Sequence, residues 1–285
     1  LSINGPTVNR QTMSATDFET IEWSYDEETS LGRITLDRPE AMNAINIQMQ
    51  HDLIDAFDAF RALDDEGDGI AVRAVIVDSA GEKAFCSGLD VGEMSDFSTY
   101  HEKKRVPDLF CEMCAAFEEY HAPVIAAVDG LCLGGGFEIV MSSDFRFAVE
   151  EATFGQPEVN FGVLPGGAAA QRLTTIVGAM RAKEITMTGE RIGAVDAAEE
   201  GILTDVVADE DELEAEVDEL ASELASKPPL AVRSIKQASN ITRNVGYDAG
   251  IEFASHAWPA LAQSDDYAKA IDAFGTDEQP EFEGK

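Results

Sequence analysis

Three consecutive glycines, Gly134, Gly135 and Gly136, constrain this chain more than any other stretch. Upstream, Pro123 to Val128 is a short continuous apolar run closed by the turn signal Asp129-Gly130. Downstream, Phe137, Ile139, Val140 and Met141 carry helix-compatible apolar spacing. The pattern predicts a buried strand, a turn, a glycine-rich loop and a helix start. Without Cβ atoms, backbone at a helix entry can approach a ligand closely and offer free N–H groups. The helix dipole adds positive potential at the same place. An anionic oxygen is the natural guest. Nucleotide phosphate is disfavoured, because no Lys-Ser/Thr follows the glycines and no Gly-x-Gly-x-x-Gly register fits. An oxyanion developing during a reaction fits better. Glu138 follows Gly135 by three residues and shares its helix face, so a carboxylate stands beside anion-binding amides. That combination suggests proton transfer next to an enolate. Taken singly, Glu138 is an ordinary first-turn glutamate and Glu158 a solvated loop residue after Pro157.

Charge narrows the partners. The 285 residues include 55 acidic and 20 basic side chains, a formal net charge of −35. Such a surface repels nucleic acid and anionic membranes. It also repels itself at low salt, where charges are unscreened. The acids are spread along the whole chain, which predicts adaptation to a high-salt cytosol. The 45% hydrophobic fraction suits a globular protein with a full core.

Cys86, Cys111, Cys114 and Cys132 are too few and too irregular for a disulfide scaffold. Cys111 and Cys114 form a lone Cys-x-x-Cys inside the helical stripe Val106, Phe110, Met113, Phe117 and Tyr120; core packing is the expectation, not zinc or redox work. Free cysteines fit a reducing cytoplasm. His51, His101, His121 and His256 have no ligand spacing. Residues 1–17 are polar without a signal-peptide core and are expected to be mobile. No apolar run reaches transmembrane length.

Along the chain, Ile21 to Tyr25 and Arg33 to Leu36 read as strands. Asn46 precedes a helix with Met49, Leu53, Ile54, Phe57 and Phe60 on one face. Val72 to Val77, Asp144 to Val149, Thr153-Phe154 and Val206-Val207 read as further strands. Gly167 to Val177, Met180 to Thr188 and Val195 to Glu200 read as short helices, with a turn over Thr188 to Ile192. From Asp209 the character changes to amphipathic helices, with stripes at Leu213, Val217, Leu220 and Leu224 and at Ile235, Ala238, Ile241 and Val245.

Several segments together resemble the signature of the crotonase (enoyl-CoA hydratase/isomerase) family. These are Ile125 to Glu138, Phe154 to Glu158 with Pro165-Gly166-Gly167, Arg38-Pro39 with Asn43-Ala44, and Gly81 to Asp90. They run in family order from roughly Ile21 onward. The resemblance implies an α/β fold: a crotonase-like spiral of ββα turns over residues 18–208, then a C-terminal helical oligomerisation region over 209–285. It implies an acyl-CoA thioester substrate whose carbonyl oxygen is cradled by the backbone amides of Leu89 and Gly135. Coenzyme A then enters as part of the substrate, with no separate cofactor and no metal. Glu138 and Glu158 match the two hydratase carboxylates, Glu138 activating the water that attacks C3 and Glu158 delivering a proton to C2, although the roles could be shared or exchanged. Cys86, Ser87, Gly88, Asp90, Gly134, Pro157 and Gly166 are expected to line the substrate pocket. The implied activity is reversible hydration of a trans-2-enoyl-CoA. The alternatives are Δ3-Δ2 isomerisation, which one carboxylate suffices for, and a noncatalytic acyl-CoA-binding protein. The helical tail implies a homotrimer or a hexamer. One departure concerns the nucleotide: family C-termini usually carry basic residues, whereas this one is acidic, leaving Arg38 and Lys83 as weak candidates for the CoA phosphates.

Overall fold

The computed structural model describes residues 18–66, 69–94, 98–276 and 279–285. The polar segment 1–17 lies outside the described residues. The strands are β1 (Ile21–Asp26), β2 (Leu31–Leu36), β3 (Ala74–Ser79), β4 (Val124–Val128), β5 (Leu131–Leu133), β6 (Phe145–Val149), β7 (Thr153–Gly155), β8 (Arg191–Gly193) and β9 (Asp205–Val207). The helices are α1 (Ile47–Glu66), α2 (Val91–Met94), α3 (Tyr100–Glu119), α4 (Gly135–Ser142), α5 (Ala169–Ile176), α6 (Ala179–Thr188), α7 (Ala194–Glu199), α8 (Glu210–Ala225), α9 (Pro229–Asn244), α10 (Tyr247–Leu261) and α11 (Asp265–Asp272).

Six strands form one sheet in the order β1-β2-β3-β4-β6-β9, antiparallel only at β1/β2. A smaller sheet has the order β5-β7-β8. The central spiral steps, from β4 and β6, lay one strand in the large sheet, turn, lay a short strand in the small one, and leave through a helical segment. β4 turns at Asp129-Gly130 into β5 and then α4; β6 turns into β7 and the 3-10 segment Pro157–Phe161. After β3, Cys86 pairs with Cys132 of β5 as an isolated parallel bridge and serves as that step's short strand. The expected ββα spiral is therefore present.

The central strands are buried on both faces, which is why β3 and β4 read as unbroken apolar runs. The α1 stripe is fully buried at Met49, Leu53, Phe57 and Phe60. It meets α3 through aromatic edges, with Phe57 and Phe117 ring centroids 4.8 Å apart. Cys114 is buried on the α3 stripe, whereas Cys111 is exposed. α8 lays Leu213, Val217 and Ala221 into the core. Each such side chain, fully buried, contributes roughly 1.5–3 kcal/mol if it is as large as valine or leucine. Farther along, Ile235, Val245, Tyr247, Trp258 and Phe274 are 67%, 75%, 72%, 66% and 87% exposed, so much of the apolar face of α9 to α11 is uncovered in a single chain.

Two short strands differ from the sequence expectation, which makes β5 a loop and β8 a turn. Three residues are too few for a period to register, and each is defined by long-range partners: Leu131 to Leu133 by Thr153 to Gly155, and Arg191 to Gly193 by the same strand. β3 starts at Ala74 rather than Val72, because Val72 sits before the first rung with β2.

Candidate active site

The pocket is built where the small sheet meets the entry of α4. Cys86 and β5 are tied by Leu133 N–H to Cys86 C=O at 2.9 Å and Cys86 N–H to Leu131 C=O at 3.1 Å. The chain then turns at Gly88, whose φ of +104° is a glycine conformation. A Cβ on Gly88 would lie 3.5 Å from the Gly135 nitrogen and 3.6 Å from the Gly134 Cα. The Gly88-Leu89 peptide thus rests against the entry of α4, and segments far apart in sequence share one wall.

The amides of Leu89 and Gly135 are left without backbone acceptors among the described residues for definable reasons. Ile45 N–H donates to Gly88 C=O at 2.8 Å, and Asp90 N–H donates to Ile45 C=O at 2.9 Å. In a parallel rung the residue between these two, Leu89, turns its own N–H to the opposite side. Gly134 N–H is used by Gly155 C=O at 2.8 Å, and the first helical bond runs from Glu138 N–H to Gly134 C=O. Gly135, the first residue of α4, therefore carries one of the helix's unpaired amides. Upstream, buried Asn43 holds the frame: its Oδ1 accepts from Arg38 N–H, and its Nδ2 donates to the carbonyls of Ala80 and Ala84 at 2.9 and 3.0 Å.

Both glutamates face this crevice. Glu138 is 1% exposed, and its Oε1 accepts from Ala169 N–H at 2.9 Å. Burial pushes its carboxyl up to about 7. The amides of Ala169 and Gly167 and the charge of Arg172 oppose that rise, while the Glu158 carboxylate adds to it. Glu158 reaches the glycine loop: a Cβ on Gly134, where φ is +51°, would meet its Oε1 at 2.9 Å. Its carboxyl is also raised by burial. Gln156, fully buried, sets its side-chain amide 2.9 Å from both Glu158 oxygens; the orientation with nitrogen on that side donates to each. Pro157 opens the 3-10 turn that carries Glu158.

The remaining expected pocket residues divide by contact. Cys86 is buried and its thiol is pushed up to about 12 by desolvation, so it is inert packing beneath the loop. Ser87 N–H donates to Met42 C=O at 3.0 Å. Asp90 is engaged by Arg38 at 3.2 Å and accepts from the Gly92 and Glu93 amides, so it anchors the loop and the start of α2. Arg38 also donates to Ala44 C=O, which commits it to the frame. Gly166 C=O accepts from the Cys111 thiol at 3.2 Å.

Sequence reasoning missed Ala169 and Arg172, and it placed Gly167 within Pro165-Gly166-Gly167 without giving it a role. Arg172 donates from Nε to Glu118 at 2.8 Å and from Nη1 to Gly167 C=O, pinning the loop whose amides hold Glu138. Nothing local in the sequence singles out Ala169 or Arg172. Gln156, by contrast, is visible within its motif. A cavity of about 400 Å³ lined by α1 and α3 residues such as His51 and Arg105, and one of about 320 Å³ behind α4, flank the site without containing either glutamate.

Two backbone amides without a hydrogen-bond acceptor among the described residues, beside buried Glu138 and half-buried Glu158, make a site suited to acid–base chemistry around an oxyanion. The family model described as enoyl-CoA hydratase/isomerase matches residues 26–285. A short-chain-enoyl-CoA hydratase of Clostridium acetobutylicum is 36% identical over 87% of this chain and 92% of its own length. A crotonyl-CoA hydratase of Syntrophomonas wolfei is 35% identical over 87% and 93%. Among solved structures, an enoyl-CoA hydratase from Bacillus anthracis superposes with a TM-score of 0.86 at 30% identity, covering 94% of this chain and all of the other. The chain belongs to the enoyl-CoA hydratase/isomerase family.

Proposed function

We infer that the chain is an enzyme that adds water reversibly to a trans-2-enoyl-CoA, giving a 3-hydroxyacyl-CoA. The thioester oxygen takes the N–H groups of Leu89 and Gly135. Ionised Glu138 accepts a proton from water as its oxygen bonds to C3. The C2–C3 π electrons move toward the thioester, forming an enolate that the two amides stabilise. Protonated Glu158 then supplies the proton at C2. Exchange with solvent returns Glu138 to its ionised and Glu158 to its protonated form. One oxyanion donor is worth roughly 3–4 kcal/mol of barrier in a comparable site.

The observation that carries this reading is that buried Glu138 and half-buried Glu158 approach the same glycine-lined crevice. Burial raises the Glu138 carboxyl to about 7, and the amides that donate to it oppose that rise, so Glu138 can act as a base near neutral pH. Isomerisation of a Δ3 double bond needs one carboxylate, and a noncatalytic acyl-CoA binder gains nothing from burying two. The activities named for the relatives above point the same way. The test is loss of crotonyl-CoA absorbance with wild type and Glu158→Gln, alongside a Δ3-enoyl-CoA substrate. Wild-type hydration with an inactive, folded Glu158→Gln is expected. Full hydration by that variant would remove Glu158 from the mechanism, and turnover of the Δ3 substrate alone would replace hydratase by isomerase.

The same proposal takes coenzyme A as part of the substrate, with no separate cofactor, and residues Cys86, Ser87, Gly88, Asp90, Gly134, Pro157 and Gly166 as the walls around its acyl end. The exposed apolar face of α9 to α11 supports a homotrimer or hexamer. The acidic surface supports a high-salt cytoplasmic setting. Among the described residues no helix is long and apolar enough to cross a membrane.

A further inference from the structure

Behind α4, at the end opposite the amide pocket, a cavity of about 320 Å³ opens between the C-terminal turn of that helix, β6, α5 and α9. Five charged side chains face it: Glu118, Asp144, Arg146, Arg172 and Arg243. Both carboxylates are already engaged. Glu118 Oε1 accepts from Arg172 Nε and from Arg243 Nη2, each at 2.8 Å. Asp144 Oδ2 accepts from Lys236 Nζ at 2.6 Å and from Val124 N–H at 2.8 Å.

Arg146 is different. Its Nε is buried and has no acceptor among the described residues, and the charge it feels most is that of Asp144, which is itself bonded to Lys236. A buried donor without a partner is costly, and a charged one more so. Arg146, Arg172 and Arg243 line the cavity against two carboxylates that already have partners, Asp144 being also paired with Lys236, a positive spot in a chain of net charge −35. Guanidinium groups present paired N–H donors that match planar and tetrahedral oxyanions. A water occupies about 30 Å³ of liquid, so the space takes an anion with part of its hydration shell. A cation would be repelled by the guanidinium groups, and a guest without an acceptor oxygen would leave Arg146 Nε unsatisfied.

We propose that this cavity is a binding site for a small oxyanion of the phosphate or sulfate class, held by Arg146 and Arg243. The test is isothermal titration calorimetry of the full chain with sodium phosphate, against sodium chloride at the same ionic strength. Wild type should give saturable heat with phosphate in excess of chloride. Arg146→Gln and Arg243→Gln should each weaken binding at least about tenfold, the loss of one charge-assisted contact. Arg146→Lys should bind with intermediate affinity, and Lys104→Gln, on the exposed face of α3 and paired with Asp108, should bind as wild type does. Circular dichroism checks folding, and Arg243→Gln, at the exposed rim, serves if Arg146→Gln unfolds. Phosphate heat no larger than chloride heat, or undiminished binding by both glutamine variants, overturns the proposal. So does a wild type that ignores phosphate but gains thermal stability with protein concentration in a way Arg146→Gln abolishes; the guanidinium groups then hold a carboxylate of a second copy.

Discussion

Replacing Glu138 by Gln should remove a pH-dependent loss of stability from the fold while abolishing the reaction. Glu138 is 1% exposed, and its carboxyl is raised from the ordinary 4.5 to about 7. Between those values the folded chain holds a proton that the unfolded chain releases. The native state therefore binds more protons, and stability falls as pH rises through that window. The loss is complete above the folded value and absent below the unfolded one. A tenfold difference in proton affinity corresponds to about 1.4 kcal/mol, so wild type should lose about 2–3 kcal/mol from this group between about pH 5 and about pH 8. Glutamine does not titrate. It can accept from Ala169 N–H but cannot satisfy Gly167 as a carboxylate does, and that cost is independent of pH. The difference in unfolding free energy between variant and wild type should thus grow by about 2–3 kcal/mol over the interval. Denaturant unfolding at fixed protein concentration and salt, repeated across the pH range, measures it. Parallel stability curves for the two proteins would show that Glu138 is not held protonated by burial, and the reasoning would fail.

The kinetic counterpart is an acid limb in kcat/KM near pH 7, because the base must be ionised; Arg172→Gln removes a cation that opposes the rise and should move that limb upward, while Arg172→Lys should leave it nearly in place. A limb unmoved by Arg172→Gln would remove Arg172 as a positioning residue. Gly134→Ala places a Cβ 2.9 Å from Glu158 Oε1 at a φ of +51°, so the carboxylate must move; turnover should drop by about 10²-fold with binding of a product analogue reduced far less. Equal kcat in that variant would mean Glu158 need not stand where it does. Finally, the melting temperature should rise between about 0.1 M and about 1 M salt, as the screening length falls from about 10 Å to about 3 Å. A flat profile would contradict dominant self-repulsion by the net charge of −35.

Much of the scaffold is visible one residue at a time. The stripes of α1 and α3 repeat at helical spacing and are buried where the spacing puts them. The run before the triple glycine is β4, and Glu138 falls on the first turn of α4 as its offset from Gly135 requires. By contrast, β5 and β8 exist through partners far along the chain, and periodicity over three residues carries no information about them.

The same division runs through the site. Sequence alone determined that a glycine-lined helix entry would offer amides beside a carboxylate, because glycine, helix dipole and side-chain offset are local properties. Tertiary structure alone decided that Gly88 turns against Gly134, and that the amides of Gly167 and Ala169 reach Glu138. It also decided that Arg146 Nε is left without an acceptor among the described residues. Those outcomes depend on desolvation and on contacts between segments tens of residues apart, set when the whole core closes.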